Sequence, residues 1–297
     1  MSDPLNNPRL KRHKLGFLQA AELPTKAQLR DYYAHYYRRE SGNYRKSYDS
    51  RERAFLDAKT AQRAALADKI RGTATPGRFL DAGCGEGFAL AWFRREGWQV
   101  EGIDHSMAGI SAMNPDLAES VTAGDLFALL DDRIAAGEAY DLVWLTNVLE
   151  HVTDPVGLLE KLRRLVAPGG VLAVTVPNDG SAYQEKLLAD GQIDDRFWIA
   201  LPDHLAYFTG DSLRATAEAT GWDCREMIAD FPIDWFLLHE GSNYVRDRAQ
   251  GKAAHKARIE LELLLADQPV EAVNAYYAAL ARLGLGRNLT AFLTPHD

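Results

Sequence analysis

The sequence predicts an α/β fold in which helices cover both faces of a mainly parallel sheet. Two observations carry this prediction: short apolar runs alternate with helical patterns over residues 78–233, and the first run leads into a glycine-rich turn. Strands separated by helices favour a parallel sheet. The chain has 297 residues, 46% of them hydrophobic, so it is long enough to bury the core of such a sheet.

The elements of this central zone follow in order. The predicted strands cover residues 78–81, 99–104, 120–123, 141–146 and 171–176. Helices are predicted between them at residues 88–96, which Gly97 would end in a left-handed conformation, and at residues 155–166. Gly102 inside the second strand is typical of close packing near a ligand, or of a bulge. Residues 289–293 provide a last strand.

Two further zones flank this core. Residues 1–72 are predicted to be helical after an irregular start, with helices at residues 26–39 and 53–70, and to form an extension that acts as a substrate lid. Residues 73–297 would form one domain. Within it, residues 234–288 are predicted to be a helical insertion before the last strand, because residues 253–267 contain neither Gly nor Pro.

Charge is unevenly distributed along the chain. The net charge is −8, yet residues 1–72 carry +8 and the remainder carries −16. A basic segment is typical either of a solvated helical face or of a site for an anionic ligand. The sequence pI of about 5.5 argues against a nucleic-acid partner.

Composition also bears on the compartment. Two cysteines exclude a disulfide scaffold and a cysteine-rich zinc module, and they favour a reducing environment. The first residues lack the apolar core of a signal peptide, and no apolar run approaches the roughly 18 residues that span a bilayer. We therefore expect a cytoplasmic protein without a membrane partner.

The most specific motif follows the first strand, in the segment Asp81-Ala82-Gly83-Cys84-Gly85-Glu86-Gly87. Glycines let the backbone adopt positive φ and approach a ligand closely, and the helix that follows presents unpaired N–H groups. The spacing is acidic-x-Gly-x-Gly-x-Gly. A nicotinamide-dinucleotide fingerprint would instead need glycine at position 88, which is Phe88.

This motif resembles the first motif of class I S-adenosylmethionine-dependent methyltransferases. The cofactor of that family is cationic at its reactive end, which explains an acid at the strand end. The resemblance implies a three-layer Rossmann-like fold with a seven-stranded sheet, the last strand antiparallel. It also implies that the next strand ends in the ribose-binding acid Asp104. The residues expected to hold the cofactor are Asp81, Gly83, Cys84, Gly85, Gly87, Asp104, His105, Asp125, Leu126, Thr146 and Asn147.

A second motif, over residues 140–152, ends in Leu149-Glu150-His151-Val152. It resembles the fourth-strand motif of small-molecule methyltransferases, including the O-methyltransferases of ubiquinone biosynthesis. Residues 162–176 match the helix, Pro-Gly-Gly and strand that follow in the family. Metal-assisted members have an acid three positions before the Glu-His pair. Here that position is the neutral Asn147, so no metal is expected.

Two histidines are candidates for the catalytic base. Methyl transfer requires alignment of the nucleophile and often removal of its proton, and histidine has a suitable pKa. His151 follows the fourth strand at the edge where open α/β sheets bind ligands. His204 lies in a segment that resembles an active-site loop of a methyltransferase subgroup, as does Tyr207, a candidate for substrate contact.

The flanking zones carry a narrower resemblance, to methyltransferases encoded with bacterial surface-polysaccharide genes. It implies further substrate-binding residues, which are Tyr44, Arg45, Asn243, Tyr244 and Arg246.

The expected function is thus methyl transfer from S-adenosylmethionine, with S-adenosylhomocysteine as product, to a small molecule. The acceptor would be a sugar or nucleotide-linked sugar, methylated on oxygen, and an anionic acceptor would suit the basic N-terminal zone. Alternatives that the sequence leaves open are N- or C-methylation of another metabolite, a non-catalytic cofactor-binding protein, an NAD-dependent enzyme, and a homo-oligomeric state.

Overall fold

Strands from two parts of the chain build the protein, whose computed structural model describes residues 7–25, 27–29 and 47–296. In chain order the strands are β1 (Leu10–Arg12), β2 (Leu18–Ala20), β3 (Arg78–Ala82), β4 (Gln99–Asp104), β5 (Val121–Ala123), β6 (Tyr140–Thr146), β7 (Val166–Pro177), β8 (Ala206–Tyr207), β9 (Trp222–Ala229) and β10 (Asn288–Pro295).

The helices alternate with these strands through most of the chain. They are α1 (Ser50–Arg71), α2 (Phe88–Arg95), α3 (Ala108–Met113), α4 (Leu126–Ala135), α5 (Pro155–Arg163), α6 (Ala182–Ala189), α7 (Gly210–Ala219), α8 (Gly251–Ala266) and α9 (Val270–Arg282). Short 3₁₀ helices lie at Pro115–Ser120, Ile233–Leu238, Glu240–Ser242 and Arg248–Gln250.

The main sheet has seven strands in the order β5-β4-β3-β6-β7-β10-β9. Its ladders are parallel, except that β10 runs antiparallel to both of its neighbours. This confirms the predicted Rossmann-like sheet with an antiparallel last strand. Parallel pairing brings the carboxyl ends of β3, β4 and β6 to one edge, which is where open α/β sheets bind ligands.

Buried aromatic rings fill the space between this sheet and its helices. Phe79 of β3 stacks on Phe93 of α2 with ring centroids 4.0 Å apart, and the ring of Trp144 meets Phe93 edge-on at 5.1 Å. Helix α1 packs on α2, α8, α9 and β7, so it lies over the sheet near the carboxyl edge. Its N-terminus is fixed by a capping box between Asp49 and Glu52.

A small second sheet joins the N-terminal segment to the core. β1, β2 and β8 form it, and the Ala20 amide donates to the Leu205 carbonyl at 2.8 Å. The sequence analysis assigned no strand to residues 10–20, and it missed β9 as well. The first two strands have three residues each, too few for periodicity to reveal. They pair with each other, and β2 is also held by pairing with the distant β8.

Two further predictions meet the structure at the flanks. The helix expected at residues 26–39 falls almost entirely outside the described residues, of which only 27–29 belong to it. The expected insertion at residues 234–288 does contain α8 and α9. Across the described ranges, no helix has the length and apolar character needed to traverse a bilayer.

Candidate active site

A cavity of about 1090 Å³ opens at the carboxyl edge of the main sheet. Its walls come from the glycine-rich turn after β3, the ends of β4 and β6, the segment after β6, and one face of α1. Every residue that the sequence analysis assigned to the cofactor lines this cavity: Asp81, Gly83, Cys84, Gly85, Gly87, Asp104, His105, Asp125, Leu126, Thr146 and Asn147.

The glycine-rich turn needs glycine for two physical reasons. Gly83 has a φ of 92°, which side-chain-bearing residues rarely adopt, and a Cβ there would lie 2.2 Å from Cγ2 of Val148. At Gly87 φ is 76°, and a Cβ would lie 2.4 Å from Cδ1 of Ile110. The turn therefore brings bare backbone against the cavity.

Two carboxyl groups stand at the bottom of this turn. Asp104 accepts hydrogen bonds from the amides of Gly85 at 2.8 Å and Ser106 at 3.0 Å, so it orders the turn as well as lining the cavity. Asp81 is buried and receives no hydrogen bond on its side chain from the described residues. Burial, together with the nearby charge of Asp104, raises the pKa of Asp81 to about 7.

The remaining predicted cofactor residues occupy strand ends and helix starts. Asp125 caps α4 by accepting from the Ala128 amide at 2.9 Å, and Leu126 begins that helix. Asn147 follows β6 with a positive φ of 53°, a conformation that asparagine tolerates better than most residues. The pKa of Cys84 is raised by burial, so its thiol stays protonated and is a poor nucleophile.

Helix α1 provides a further wall of the cavity. The N-terminal extension was expected to act as a lid, but none of the α1 residues that line the cavity was predicted. Leu56, Lys59, Thr60 and Arg63 recur at helical spacing on a single face of α1 and line the cavity. Lys59 lies 3.4 Å from a carboxylate oxygen of Asp230. Arg63 is buried, and among the described residues no hydrogen bond or salt bridge reaches its guanidinium group. Such a cation suits an anionic group of a ligand.

His151 is the predicted base that reaches the cavity wall. Its Nδ1 lies 2.8 Å from the carbonyl oxygen of Asp203, and because a carbonyl only accepts, Nδ1 must carry the proton. The neutral ring then has its lone pair on Nε2. Burial lowers the pKa of His151, but the carboxylates of Asp203 and Glu150 outweigh it and raise that pKa to about 9.

His204 does not line the cavity. Its ring packs edge-on against that of His151 with centroids 4.8 Å apart. Burial, and then the charge of His151, lower the pKa of His204 to about 4. The structure thus brings the two predicted histidines together but places His204 behind His151, away from the cavity.

The two histidines and the neighbouring Glu150 form a cluster that could hold a metal ion. Glu150, His151 and His204 offer donor atoms that lie within 4.8 Å of one another, close enough to share an ion. Burial raises the pKa of Glu150 to about 7, so protonation of this carboxyl group is an alternative to neutralisation by an ion. The expectation of a metal-free site stays a prediction.

The predicted substrate-binding residues that the structure describes do not line this cavity. Tyr207 is buried, and its hydroxyl donates to the His204 carbonyl at 2.9 Å while accepting from the Ala200 amide at 3.2 Å. The Tyr207 hydroxyl thus makes a structural contact that closes the loop before β8, and its contact with a substrate stays a prediction. Tyr44 and Arg45 lie outside the described residues.

The other three predicted substrate residues, in the segment after Ser242, also serve the fold. Asn243 is buried and donates to the carbonyls of Gln192 and Leu237. The Tyr244 hydroxyl donates to Asp234 at 2.7 Å, and Arg246 donates to the Gly191 carbonyl. The polar side chains of this Asn-Tyr-Val-Arg segment fasten it to neighbouring parts of the chain, which the sequence alone does not reveal.

Comparison with known proteins identifies the family. A family model described as "Methyltransferase domain" matches residues 48–227, more than half of the chain. This chain belongs to that family. The match confirms the methyltransferase family expected from the sequence, and with it S-adenosylmethionine as the cofactor.

Curated relatives support the assignment over shorter stretches. The chain is 37% identical over 101 residues to a ubiquinone biosynthesis O-methyltransferase of Rhodopseudomonas palustris strain TIE-1, covering 34% of this chain and 40% of that protein. It is 33% identical over 179 residues to the enzyme of the same name from Bradyrhizobium sp. strain ORS 278, covering 55% and 70%. The chain thus spans less than half of the length of the first relative.

Solved structures agree on the fold. A SAM-dependent methyltransferase from Archaeoglobus fulgidus superposes with a TM-score of 0.51 at 17% identity, covering 91% of this chain and 99% of that one. The 1,6-didemethyltoxoflavin-N1-methyltransferase of Burkholderia thailandensis gives 0.50 at 15% identity, covering 97% and 100%. At these identities the likeness establishes the methyltransferase fold and no finer function.

Proposed function

We propose that the protein transfers a methyl group from S-adenosylmethionine to a hydroxyl oxygen of a small molecule. The observation that carries the proposal is that one cavity joins the acidic glycine-rich turn to His151, whose Nε2 can accept a hydroxyl proton. The volume of about 1090 Å³ supports it too. Pockets for one small ligand typically measure about 300–1,000 Å³, and this cavity has to hold a cofactor and an acceptor.

The cofactor would lie along the carboxyl edge of the sheet. Asp81 would face its cationic methionine end, Asp104 the ribose hydroxyls, and Asp125 the adenine amino group. Arg63 would bind the carboxylate of the methionine end, because it is a buried cation on the opposite wall that no hydrogen bond or salt bridge from the described residues reaches. α1 would then close one side of the site, which supports the proposal that the N-terminal extension is a lid.

The chemical step would be an in-line displacement. The acceptor oxygen attacks the methyl carbon, the carbon–sulfur bond breaks with its electron pair going to sulfur, and Nε2 of His151 takes the hydroxyl proton. The products are the methyl ether, S-adenosylhomocysteine and an imidazolium. The protein contributes alignment of the two reactants and the proton acceptor.

The finer proposal is that the acceptor is a sugar or a nucleotide-linked sugar. The basic N-terminal segment and the resemblance of the flanking zones support it, although Asn243, Tyr244 and Arg246 lie away from the cavity. A phenolic ring is the second candidate. The names of the curated relatives favour it, and so do the aromatic side chains of Phe88 and Trp144 in the cavity wall.

Calorimetry tests the cofactor site. Wild-type protein should bind S-adenosylhomocysteine, Asp104→Ala should weaken binding at least tenfold, and Asp116→Ala, at an exposed aspartate outside the cavity, should bind as wild type does. Absence of binding by the wild type, or equal binding by Asp104→Ala, would contradict the proposal.

An acceptor panel tests the reaction. Nucleotide sugars, free sugars, catechols and amines are incubated with S-adenosylmethionine, and S-adenosylhomocysteine is quantified by mass spectrometry. Turnover with a hydroxylated acceptor that His151→Gln lowers at least tenfold, while the exposed His296→Gln does not, is the expected result. Turnover with amines alone would replace O-methylation by N-methylation, and cofactor binding without any turnover would favour a non-catalytic binding protein.

A further inference from the structure

The loop before β8 is fastened to the residues that carry the proposed base. The amides of Leu205 and Ala206 both donate to the Glu150 carbonyl, at 2.7 and 3.0 Å. Two residues before Leu205, the Asp203 carbonyl accepts from Nδ1 of His151 at 2.8 Å. The Tyr207 hydroxyl closes the same loop between Ala200 and His204. The loop therefore holds a fixed position relative to the His151 ring.

Asp203 offers His151 a charge as well as a carbonyl. Its Oδ1 lies 3.5 Å from Nδ1 of His151, and both side chains are largely buried, 23% and 21% exposed. Asp203 itself lines the cavity. In such partly desolvated surroundings a carboxylate next to an imidazole favours the protonated ring.

The other groups around His151 stabilise a positive charge on its ring less than Asp203 does. Glu150 faces Nε2 at 3.8 Å, but it is 1% exposed and burial favours its neutral form. On the far side the ring of His204 packs against His151, and behind it Asp179 is already paired with Arg287 at 3.1 Å. Asp203 is thus the carboxylate best placed to stabilise an imidazolium at position 151.

We propose that Asp203 is a positioning residue for His151: its carbonyl fixes the ring with Nε2 as proton acceptor, and its carboxylate stabilises the imidazolium formed during methyl transfer. This inference rests on the proposed function. It assigns the partner of the base to Asp203, and it leaves His204 as a packing neighbour. The proton passes from the acceptor hydroxyl to Nε2 and is released after the product leaves.

The decisive measurement is the titration of His151 by NMR in the protein without ligands, with the signal assigned from His151→Gln. Asp203→Asn keeps the backbone carbonyl and the side-chain volume but removes the charge, so the titration midpoint should fall by about one pH unit. Asp190→Asn, at an exposed aspartate after α6, is the matched control and should leave the midpoint unchanged. A midpoint that Asp203→Asn does not move would overturn the proposal.

Kinetics separate this inference from the proposed function. With an accepted substrate, Asp203→Asn should lower kcat about 10- to 100-fold, change the KM for S-adenosylmethionine by less than threefold, and move the acidic limb of the kcat profile to lower pH. A loss of kcat without movement of that limb would refute the positioning role. If no acceptor is turned over, the proposed reaction fails, and the NMR titration still decides whether Asp203 controls His151.

A second variant guards against a folding defect in Asp203→Asn. Tyr207→Phe keeps the buried ring but removes the hydroxyl that closes the loop, so the midpoint of His151 should move in the same direction by a smaller amount. Circular dichroism verifies that each variant is folded. If the titration midpoint of His151 moves in neither folded variant, Tyr207→Phe or Asp203→Asn, the loop before β8 does not affect the protonation of His151.

Discussion

Asp81→Asn should make the ligand-free protein more stable and at the same time remove most of its affinity for the cofactor. The carboxyl group of Asp81 is buried at the end of β3, faces the cavity and receives no hydrogen bond from the described residues. Its charge is therefore costly until a cationic ligand arrives. Asparagine has the same shape and no charge, so it removes the cost and the attraction together.

The pKa of Asp81 gives the size and the pH window of the effect. Burial raises this pKa from 3.8 to about 7, which sets an upper limit of about 4 kcal/mol on the destabilisation. In the unfolded chain Asp81 ionises near pH 4, whereas in the folded protein it ionises near pH 7. The folded protein favours the protonated carboxyl of Asp81, and this stabilisation is lost as pH rises from about 4 to 7. Above pH 7 the buried charge of Asp81 destabilises the folded protein by the full amount.

Thermal unfolding at a series of pH values measures the effect. Asp81→Asn should unfold only about 2–4 °C above wild type near pH 4.5, where roughly 1 kcal/mol of the cost is present, and up to about 8–16 °C above it at pH 8, since a chain of this size gains about 2–4 °C per kcal/mol. Asp116→Asn is the matched control for net charge and should show no such divergence.

Cofactor affinity should change in the opposite sense. Loss of one charge-assisted contact predicts S-adenosylhomocysteine binding about 10- to 100-fold weaker in Asp81→Asn. Wild-type binding should strengthen about tenfold from pH 6 to pH 8, as Asp81 becomes ionised, and this pH dependence should vanish in the variant. A variant that is no more stable at pH 8, or that binds the ligand as well as wild type, would refute the assignment of Asp81.

Four other outcomes follow from the site. Arg63→Met, which removes the buried cation on α1, should raise the Kd for S-adenosylhomocysteine about 10- to 100-fold by calorimetry, and an unchanged Kd would remove Arg63 from the cofactor site. Initial rates should fall as pH drops below about 9, because His151 must be unprotonated to act as the base. Burial lowers the pKa of His151, but Asp203 and Glu150 outweigh burial and raise this pKa to about 9. A flat rate profile from pH 6 to 9 would exclude His151 as the base. Exhaustive chelation should leave the rate within twofold, whereas a loss that Mg²⁺ restores would assign an ion to Glu150, His151 and His204. Gly102→Ala should lower stability by about 1–3 kcal/mol in urea unfolding, since its Cβ would lie 2.8 Å from Cδ1 of Leu90, and equal stability would show that the core yields there.

The central sheet was predictable because each parallel strand is a short apolar run that ends at a polar or glycine-rich turn. The strand over residues 99–104 was predicted with its observed bounds, and β6 differs from its prediction by one residue. β9 escaped because it reads Trp-Asp-Cys-Arg-Glu-Met-Ile-Ala and exposes part of its first half. Its assignment depends on pairing with β10, which lies more than fifty residues further along the chain.

The grouping of the predicted cofactor residues around one cavity was predictable for a related reason. These residues belong to short continuous motifs at strand ends, so the glycines and acids that form each turn are close together in the sequence. The wall formed by α1 was not, because Arg63 stands 20 residues before Gly83 in a helix whose charges could equally face solvent. Only the packing of α1 over the cavity distinguishes Lys59 and Arg63 from the other basic residues of the N-terminal zone.

The acceptor half shows the limit of motif reasoning most clearly. Histidine has a suitable pKa for a base, so the sequence draws attention to His204, yet the cavity wall at that loop is formed by Asp203. The two residues are neighbours in the chain and both contact the His151 ring, but of the two only Asp203 lines the cavity. Which of two neighbours reaches the ligand depends on the contacts of Leu205, Ala206 and Tyr207 with distant segments. The suitable pKa of histidine led to the prediction of His204, whereas the tertiary fold places Asp203 at the cavity. The titration of His151 in Asp203→Asn tests whether Asp203 acts on the proposed base.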